Sequence, residues 1–256
     1  AYAVKMLRKE WWRDTSAIEL FRREAWVGSK VSHPHVVPVL SANVRQPPFY
    51  LAMPLLAGSS LRERLDQGWR PSTPEALWIA RQVVEGLDAL YQTVGMIHGD
   101  VKPENIFLTR RGEDGDFVKI VDFGIAKMSA LDGAGEPGRK LTKTGMIFGT
   151  PEYMSPEQAA GKPLDHRVDV YALGVILFEC LTGRVPFVGD SFMGILTKHL
   201  TEEVPRLADV NWQYGTLVTP PTPKEPTSLG DPAVADLLDH AEEILFEAGP
   251  RIRDEV

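Results

Sequence analysis

A single cysteine, Cys180, stands among 256 residues, which excludes an intrachain disulfide and any metal site built on several thiolates, and points to a reducing, cytoplasmic setting. No Asn-x-Ser/Thr sequon occurs. Long apolar runs are scarce as well. The longest, residues 170–181, falls short of the ~20 residues a membrane-spanning helix needs, and no targeting segment is apparent. Positive charge is in deficit: 28 Lys and Arg against 35 Asp and Glu leave a formal net charge of −7, which argues against a nucleic-acid partner. What is present is average for a globular protein, with 43% hydrophobic and 25% charged residues. The length supports one large domain or two, and disorder of the chain as a whole is excluded.

The chain opens without an initiator Met on the alternating strand Ala1-Tyr2-Ala3-Val4-Lys5-Met6-Leu7, so it reads as a fragment. Residues 16–31 are expected to form a helix, with Ile18, Phe21, Ala25 and Val27 on one side and charges opposite; Gly28 weakens its last turn. Residues 36–44 and 49–53 read as two short strands on either side of Gln46-Pro47-Pro48. After a turn at Gly58-Ser59-Ser60, Thr73-Pro74 supplies an N-cap and a first-turn proline for a long helix. Its Leu77, Ala80, Val83, Val84, Leu87 and Leu90 recur at helical spacing. Two β-like runs, 105–108 and 118–121, flank a polar Gly-rich turn, whereas 128–143 is a loop by composition. Residues 168–182 are apolar nearly all round and should lie at the centre of a helical lobe. A Pro/Thr-rich stretch, 217–230, precedes a last helix that starts at Asp231-Pro232 and stops at Gly249-Pro250.

Chemistry concentrates in the middle of the chain. His98-Gly99-Asp100-Val101-Lys102-Pro103-Glu104-Asn105 places a carboxylate, an ammonium and an amide within six residues, just before a β-run, and Asp122-Phe123-Gly124 closes the next one. A carboxylate and an amide at adjacent strand mouths suit Mg²⁺, which takes oxygen ligands and keeps phosphate as a partner. Phosphoryl transfer is the reaction that fits. His98, His33 and His35 read as structural residues, and Trp11, Trp12 and Trp26 as packing or partner-facing ones. Gly133-Ala134-Gly135-Glu136-Pro137-Gly138 satisfies Gly-x-Gly-x-x-Gly but does not lead from a strand into a helix, and Pro137 removes a donor, so it is not a phosphate cradle.

These motifs resemble the catalytic and metal loops of eukaryotic-type protein kinases, in the family's order and spacing. Ala3-Val4-Lys5, Glu24, Ser155-Pro156-Glu157 and Asp169-Val170-Tyr171-Ala172-Leu173-Gly174 extend the resemblance to about residue 200. Lys102 and Gly149-Thr150-Pro151-Glu152-Tyr153-Met154 resemble the serine/threonine branch, in a bacterial style. The resemblance implies an α+β, bilobal kinase-like fold: a partial N-lobe over 1–56, a C-lobe over 57–210 and a divergent C-terminal segment over 211–256. It implies ATP and Mg²⁺ as cofactors and a protein Ser/Thr hydroxyl as acceptor. Lys5 would hold the α and β phosphates, positioned by Glu24; Asp100 would accept the hydroxyl proton; Lys102 would neutralise the γ-phosphate; Asn105 and Asp122 would hold Mg²⁺. Thr150 would support Asp100, and Asp169 would hold the catalytic-loop backbone. Ala3 and Phe107 would wall the adenine, with Met53, Pro54, Leu55 and Leu56 as the hinge. A pseudokinase scaffold and a small-molecule phosphotransferase are the alternatives; the five intact motif residues Lys5, Glu24, Asp100, Asn105 and Asp122 oppose the first, and the 149–157 segment opposes the second.

Three departures from the family pattern carry expectations. The chain starts at the lysine strand, so the Gly-rich loop and two strands are expected to be missing, with weak nucleotide binding and little activity from this chain alone. Gly99 stands where the family usually has Arg, so phosphates on Thr142 or Thr144 are expected to order the activation loop less. The Arg that should pair with Glu157 is hard to place, with Arg251 and Arg253 as candidates. Glu104 and the net charge suit a substrate with basic residues near its Ser/Thr.

Overall fold

The computed structural model of the chain describes residues 1–112, 114–123, 150–207 and 210. The fold is α+β. Strand β1 (Tyr2–Met6), helix α1 (Thr15–Lys30) and strands β2 (Ser41–Asn43) and β3 (Tyr50–Pro54) come first. Strand β4 (Gly58–Ser60) and helices α2 (Leu61–Asp66) and α3 (Thr73–Val94) follow, then the hairpin β5 (Ile106–Arg111) and β6 (Asp114–Ile120). Beyond it lie α4 (Pro156–Ala159), α5 (Arg167–Thr182) and α6 (Phe192–Thr201).

Two antiparallel sheets result, ordered β1-β3-β2 and β4-β5-β6. Helix α1 starts where the Asp14 carboxylate accepts from Ala17 N at 2.9 Å, satisfying one of the amides a helix start leaves unpaired. Its Phe21 and Ala25 pack with Phe49 and Leu51 from the first sheet. The 36–44 run is a strand only at its end, because residues 35–37 pair elsewhere. Ile120 N donates to His35 O at 2.8 Å, Val37 N donates to Ile120 O at 3.1 Å, and Val36 bridges Ile120 in parallel. Val39 N then donates to Gly28 O at 2.9 Å, and only with Leu40 N, 2.8 Å from Ala52 O, does the run reach the first sheet, where β2 begins at Ser41.

The Gly58-Ser59-Ser60 segment is not a free turn. It pairs with β5, Gly58 opposite Thr109 and Ser60 opposite Phe107, and Ser60 then caps α2 in a capping box with Glu63. Helix α3 is capped one residue earlier than the sequence suggested, by Ser72 with Glu75, which leaves Thr73 inside its first turn. It stops at Gly95 in the left-handed conformation, φ 64°.

Helix α5 buries residues all round, among them Val168, Tyr171, Leu173, Val175, Ile176 and Phe178. With Leu61, Ile79, Val83, Ile106, Leu108 and Val118 it forms the main core. A second cluster joins the two parts of the molecule: Val27, Val31 and Val36 meet Leu90, Met96 and Phe123. Gly28 is needed there. A Cβ on it would collide with Val39 and stand 3.3 Å from the Phe123 ring, so the residue that costs helix propensity lets α1 approach closely. Among the described residues no helix is long and apolar enough to cross a membrane. The loop at 128–143, the 133–138 glycines, Thr142, Thr144, the 217–230 stretch, the last helix, Arg251 and Arg253 lie outside the described residues.

Candidate active site

The β5–β6 hairpin sets the frame. Its register places Ile106 opposite Ile120, and Val121 N donates to Asn105 O at 2.9 Å. Asn105, just before β5, and Asp122, just beyond β6, therefore emerge side by side although 17 positions separate them. Asp122 takes a left-handed backbone, φ 55°, which Asp tolerates better than most residues.

On one flank, Lys5 Nζ lies 2.8 Å from Glu24 Oε1 and 2.5 Å from Asp122 Oδ1. Lys5 reaches out from β1 and Glu24 up from the buried face of α1. Burial alone would lower the Lys5 pKa, but attraction to Glu24 and Asp122 outweighs it and raises the pKa, so the ammonium stays charged. Burial pushes the Glu24 carboxyl up, and the Lys5 charge beside it offsets part of that rise.

On the other flank, Lys102 Nζ lies 3.2 Å from Asp100 Oδ2 and donates to Thr150 Oγ1 at 3.3 Å. Asn105 Nδ2 donates to Asp100 O at 3.1 Å. Asp100, Lys102, Asn105 and Thr150 thus form one contiguous polar cluster, and residues 105 and 121 link it to the Lys5 group. Beneath it, the Asp169 carboxylate of α5 accepts from His98 N at 2.8 Å and Gly99 N at 2.7 Å. Such charge-assisted bonds are each worth roughly 1.5–3 kcal/mol. Gly99 has φ 68°, so its identity carries a backbone reason besides the loss of an Arg: a side chain there would be strained. His98 is buried at 1% exposure, beneath the loop rather than in the cluster.

The remaining expected residues lie on or just beyond the two sheets, Ala3 on the edge strand β1 and Met53, Pro54 and Phe107 on the central strands β3 and β5. Ala3 pairs with Met53 and Tyr2 with Pro54 across β1 and β3, and Leu55 N continues that pairing to Ala1 O at 3.4 Å. Leu56 is half-buried just beyond. Phe107 belongs to the other sheet, on β5, opposite Ser60 and Lys119.

The donor set suits a hard cation. With the Asn105 amide nitrogen turned to Asp100 O, its oxygen is the end left for a ligand, and Asp122 adds a carboxylate. Among the described residues no group of three or more His, Cys, Asp or Glu is placed to hold a metal. The Asn105 amide oxygen and the Asp122 carboxylate are by themselves enough protein ligands for Mg²⁺, which takes one or two and fills the rest of its shell with phosphate and water.

Sequence reasoning missed a second polar group. Arg62 of α2 meets Glu179 Oε1 of α5 at 2.5 Å, Tyr153 OH at 3.0 Å and Asp66 Oδ1 at 3.0 Å, and Tyr153 OH donates to Glu179 Oε2 at 2.6 Å. Burial and the Glu179 charge raise the Tyr153 pKa. The partners are up to 117 positions apart, and no local pattern announces them. Gln158 was also missed, although Ser155-x-x-Gln158 is a legible capping signal. Cys180 is buried, and burial pushes its thiol up to about 12, so it is inert.

Residues 1–240 match the protein kinase domain family. The chain is 39% identical over 236 residues to the serine/threonine-protein kinase pkn3 of Myxococcus xanthus, covering 92% of this chain and 40% of that protein. It is 36% identical over 232 residues to serine/threonine-protein kinase PknB of Mycolicibacterium smegmatis, covering 88% and 36%. It is 36% identical over 203 residues to serine/threonine-protein kinase PrkC of Bacillus subtilis, covering 79% and 30%. The chain thus spans less than half the length of these relatives.

Proposed function

Since the chain belongs to the protein kinase domain family, and within it resembles bacterial serine/threonine kinases, we propose that it transfers the γ-phosphate of ATP to Ser or Thr hydroxyls of protein substrates. The observation that carries this reading is the single polar cluster in which Asp100, Lys102 and Thr150 touch while Asn105 and Asp122 stand beside them.

Asp100 is the group that takes the proton from the acceptor hydroxyl. Lys102, within reach of both Asp100 and Thr150, places a positive charge where the transferred phosphate must pass, and Thr150 orients the pair and favours a hydroxyl substrate. Lys5 binds the α and β phosphates as a point charge, with Glu24 holding it in place. Asn105 and Asp122 hold Mg²⁺, which when bound neutralises charge on the phosphates. Ala3 and Phe107 enclose the adenine, and the Met53, Pro54 and Leu56 backbone forms the hinge beside it, where the Pro54 carbonyl accepts and the Leu56 N–H donates.

Basic residues near the acceptor fit Glu104 and the net charge of −7, although Arg62 at 3.9 Å already meets part of the Glu104 charge. The lone, buried Cys180 fits a reducing cytoplasm. No observation favours the scaffold or small-molecule reading.

The test is ATP-dependent phosphorylation of a generic basic protein by the full-length protein and by its Asp122→Ala variant. Phosphoserine or phosphothreonine formed by the first and lost in the second is the expected result. Mg-ATP binding without transfer by the unaltered protein would move the reading to a scaffold.

A further inference from the structure

Helix α4 begins in a capping box. Gln158 N donates to Ser155 Oγ at 3.3 Å, and Gln158 Oε1 accepts from Ser155 N at 3.0 Å. The other end of that carboxamide leaves the helix altogether: Gln158 Nε2 donates to Gly99 O at 2.8 Å, across 59 positions of chain. One side chain therefore ties the start of α4, just beyond Thr150 to Tyr153, to the residue before Asp100.

The atom it holds matters. Gly99 O and Asp100 N belong to one planar peptide unit. Gln158 holds its oxygen, and His98 Nδ1 lies 3.3 Å from its nitrogen. The preceding peptides are held through their N–H groups by Asp169. Gly99, at φ 68° with no side chain of its own, is the joint about which the Gly99–Asp100 unit can turn most readily. A rotation of that unit would swing Asp100 away from Lys102 and Thr150, and breaking the Gln158 bond removes the restraint on its oxygen.

We propose that Gln158 is a positioning residue for Asp100: it fixes the peptide plane that aims the carboxylate and thereby makes that aim depend on the placement of α4. The proposal rests on the reading of Asp100 as the base, and its test separates the two.

Gln158→Glu is the informative change. It keeps the shape and the oxygen that Ser155 N needs, since Glu also completes a capping box, but replaces the donor to Gly99 O with a carboxylate oxygen. In the full-length protein we expect a kcat lower by about tenfold or more, a KM for ATP within about twofold and little change in Tm. The ratio of variant to unaltered kcat should rise as pH falls from about 7 to about 5, toward the ordinary carboxyl range, because the introduced carboxyl, once protonated, can donate to Gly99 O again. Gln158→Met keeps the shape and neither bond; it should speed hydrogen exchange at residues 98–101 while α5 stays protected, a readout independent of catalysis. A Gln158→Glu enzyme with unaltered kcat, in a protein that Asp100→Asn inactivates, would overturn the positioning role and leave the kinase reading intact. So would a deficit that tracks a fall in Tm at every pH, or unchanged exchange in Gln158→Met. Undiminished activity in Asp100→Asn would remove the reading of Asp100, and the proposal with it.

Discussion

At the residue scale, the buried carboxylate of Asp169 is held by a distant part of the chain. Asp169 gives both carboxylate oxygens to backbone N–H groups, at 2.7 and 2.8 Å. Asp169→Ala should therefore lower stability by about 3 kcal/mol or more and loosen residues 98–100, read as a lower Tm and faster amide exchange there. His199 gives a pH-dependent test. It lies at 5% exposure against the Tyr171 hydroxyl, 2.7 Å from its Nδ1, and burial pushes the imidazole down to about 4. Above the ordinary His range both folded and unfolded forms are neutral, and this group contributes no slope. Between about 6.5 and about 4 the unfolded chain binds a proton that the folded one refuses, so stability falls as pH falls, by about 3 kcal/mol in all. Denaturant titrations at about pH 7.5 and about pH 5 should show a steeper loss for the unaltered protein than for His199→Gln.

At the element scale, the helices with clear periodicity and caps were legible: residues 16–31 against the observed Thr15–Lys30, and 168–182 against Arg167–Thr182. What sequence could not show was pairing over distance. Residues 36 and 37 look like the start of a strand because both are β-branched Val, yet their partner is Ile120, far along the chain. Gly58-Ser59-Ser60 looks like a turn because its residues are small, yet β5 recruits it as an edge and Ser60 starts α2. Gly28 follows the same logic: propensity alone marks it as a weakness, and the approach of Val39 and Phe123 shows why it is there. Gly28→Ala should cost about 1–3 kcal/mol despite the better helix former, checked by chemical denaturation. The tie between α2 and α5 makes the matching prediction for polar contacts. Arg62→Ala leaves Glu179, 6% exposed, without its ion-pair partner and should cost about 3–5 kcal/mol. Arg62→Ala with Glu179→Leu should recover part of that loss.

At the scale of the whole molecule, α1 and α3 pack around Phe123 while Lys5 of β1 reaches Glu24 of α1 and Asp122 just beyond β6, so the residues in the proposed catalytic roles come from both sides of one junction. The motif residues were legible because each sits in a short local pattern. Of their mutual contacts, the family resemblance implied Lys5 with Glu24 and Asp169 with the loop backbone, whereas Lys5 with Asp122, 117 positions apart, and Lys102 with Thr150, 48 apart, had no local signal. The central claim is that the Asp100 carboxylate takes the acceptor's proton within this assembled cluster. It is tested most directly by Asp100→Asn in the full-length protein, assayed for ATP affinity and for phosphate transfer to a basic protein. ATP affinity within about threefold of the unaltered protein, with kcat lower by at least about 10²-fold, is the predicted result. Transfer at the unaltered rate by Asp100→Asn would contradict the account.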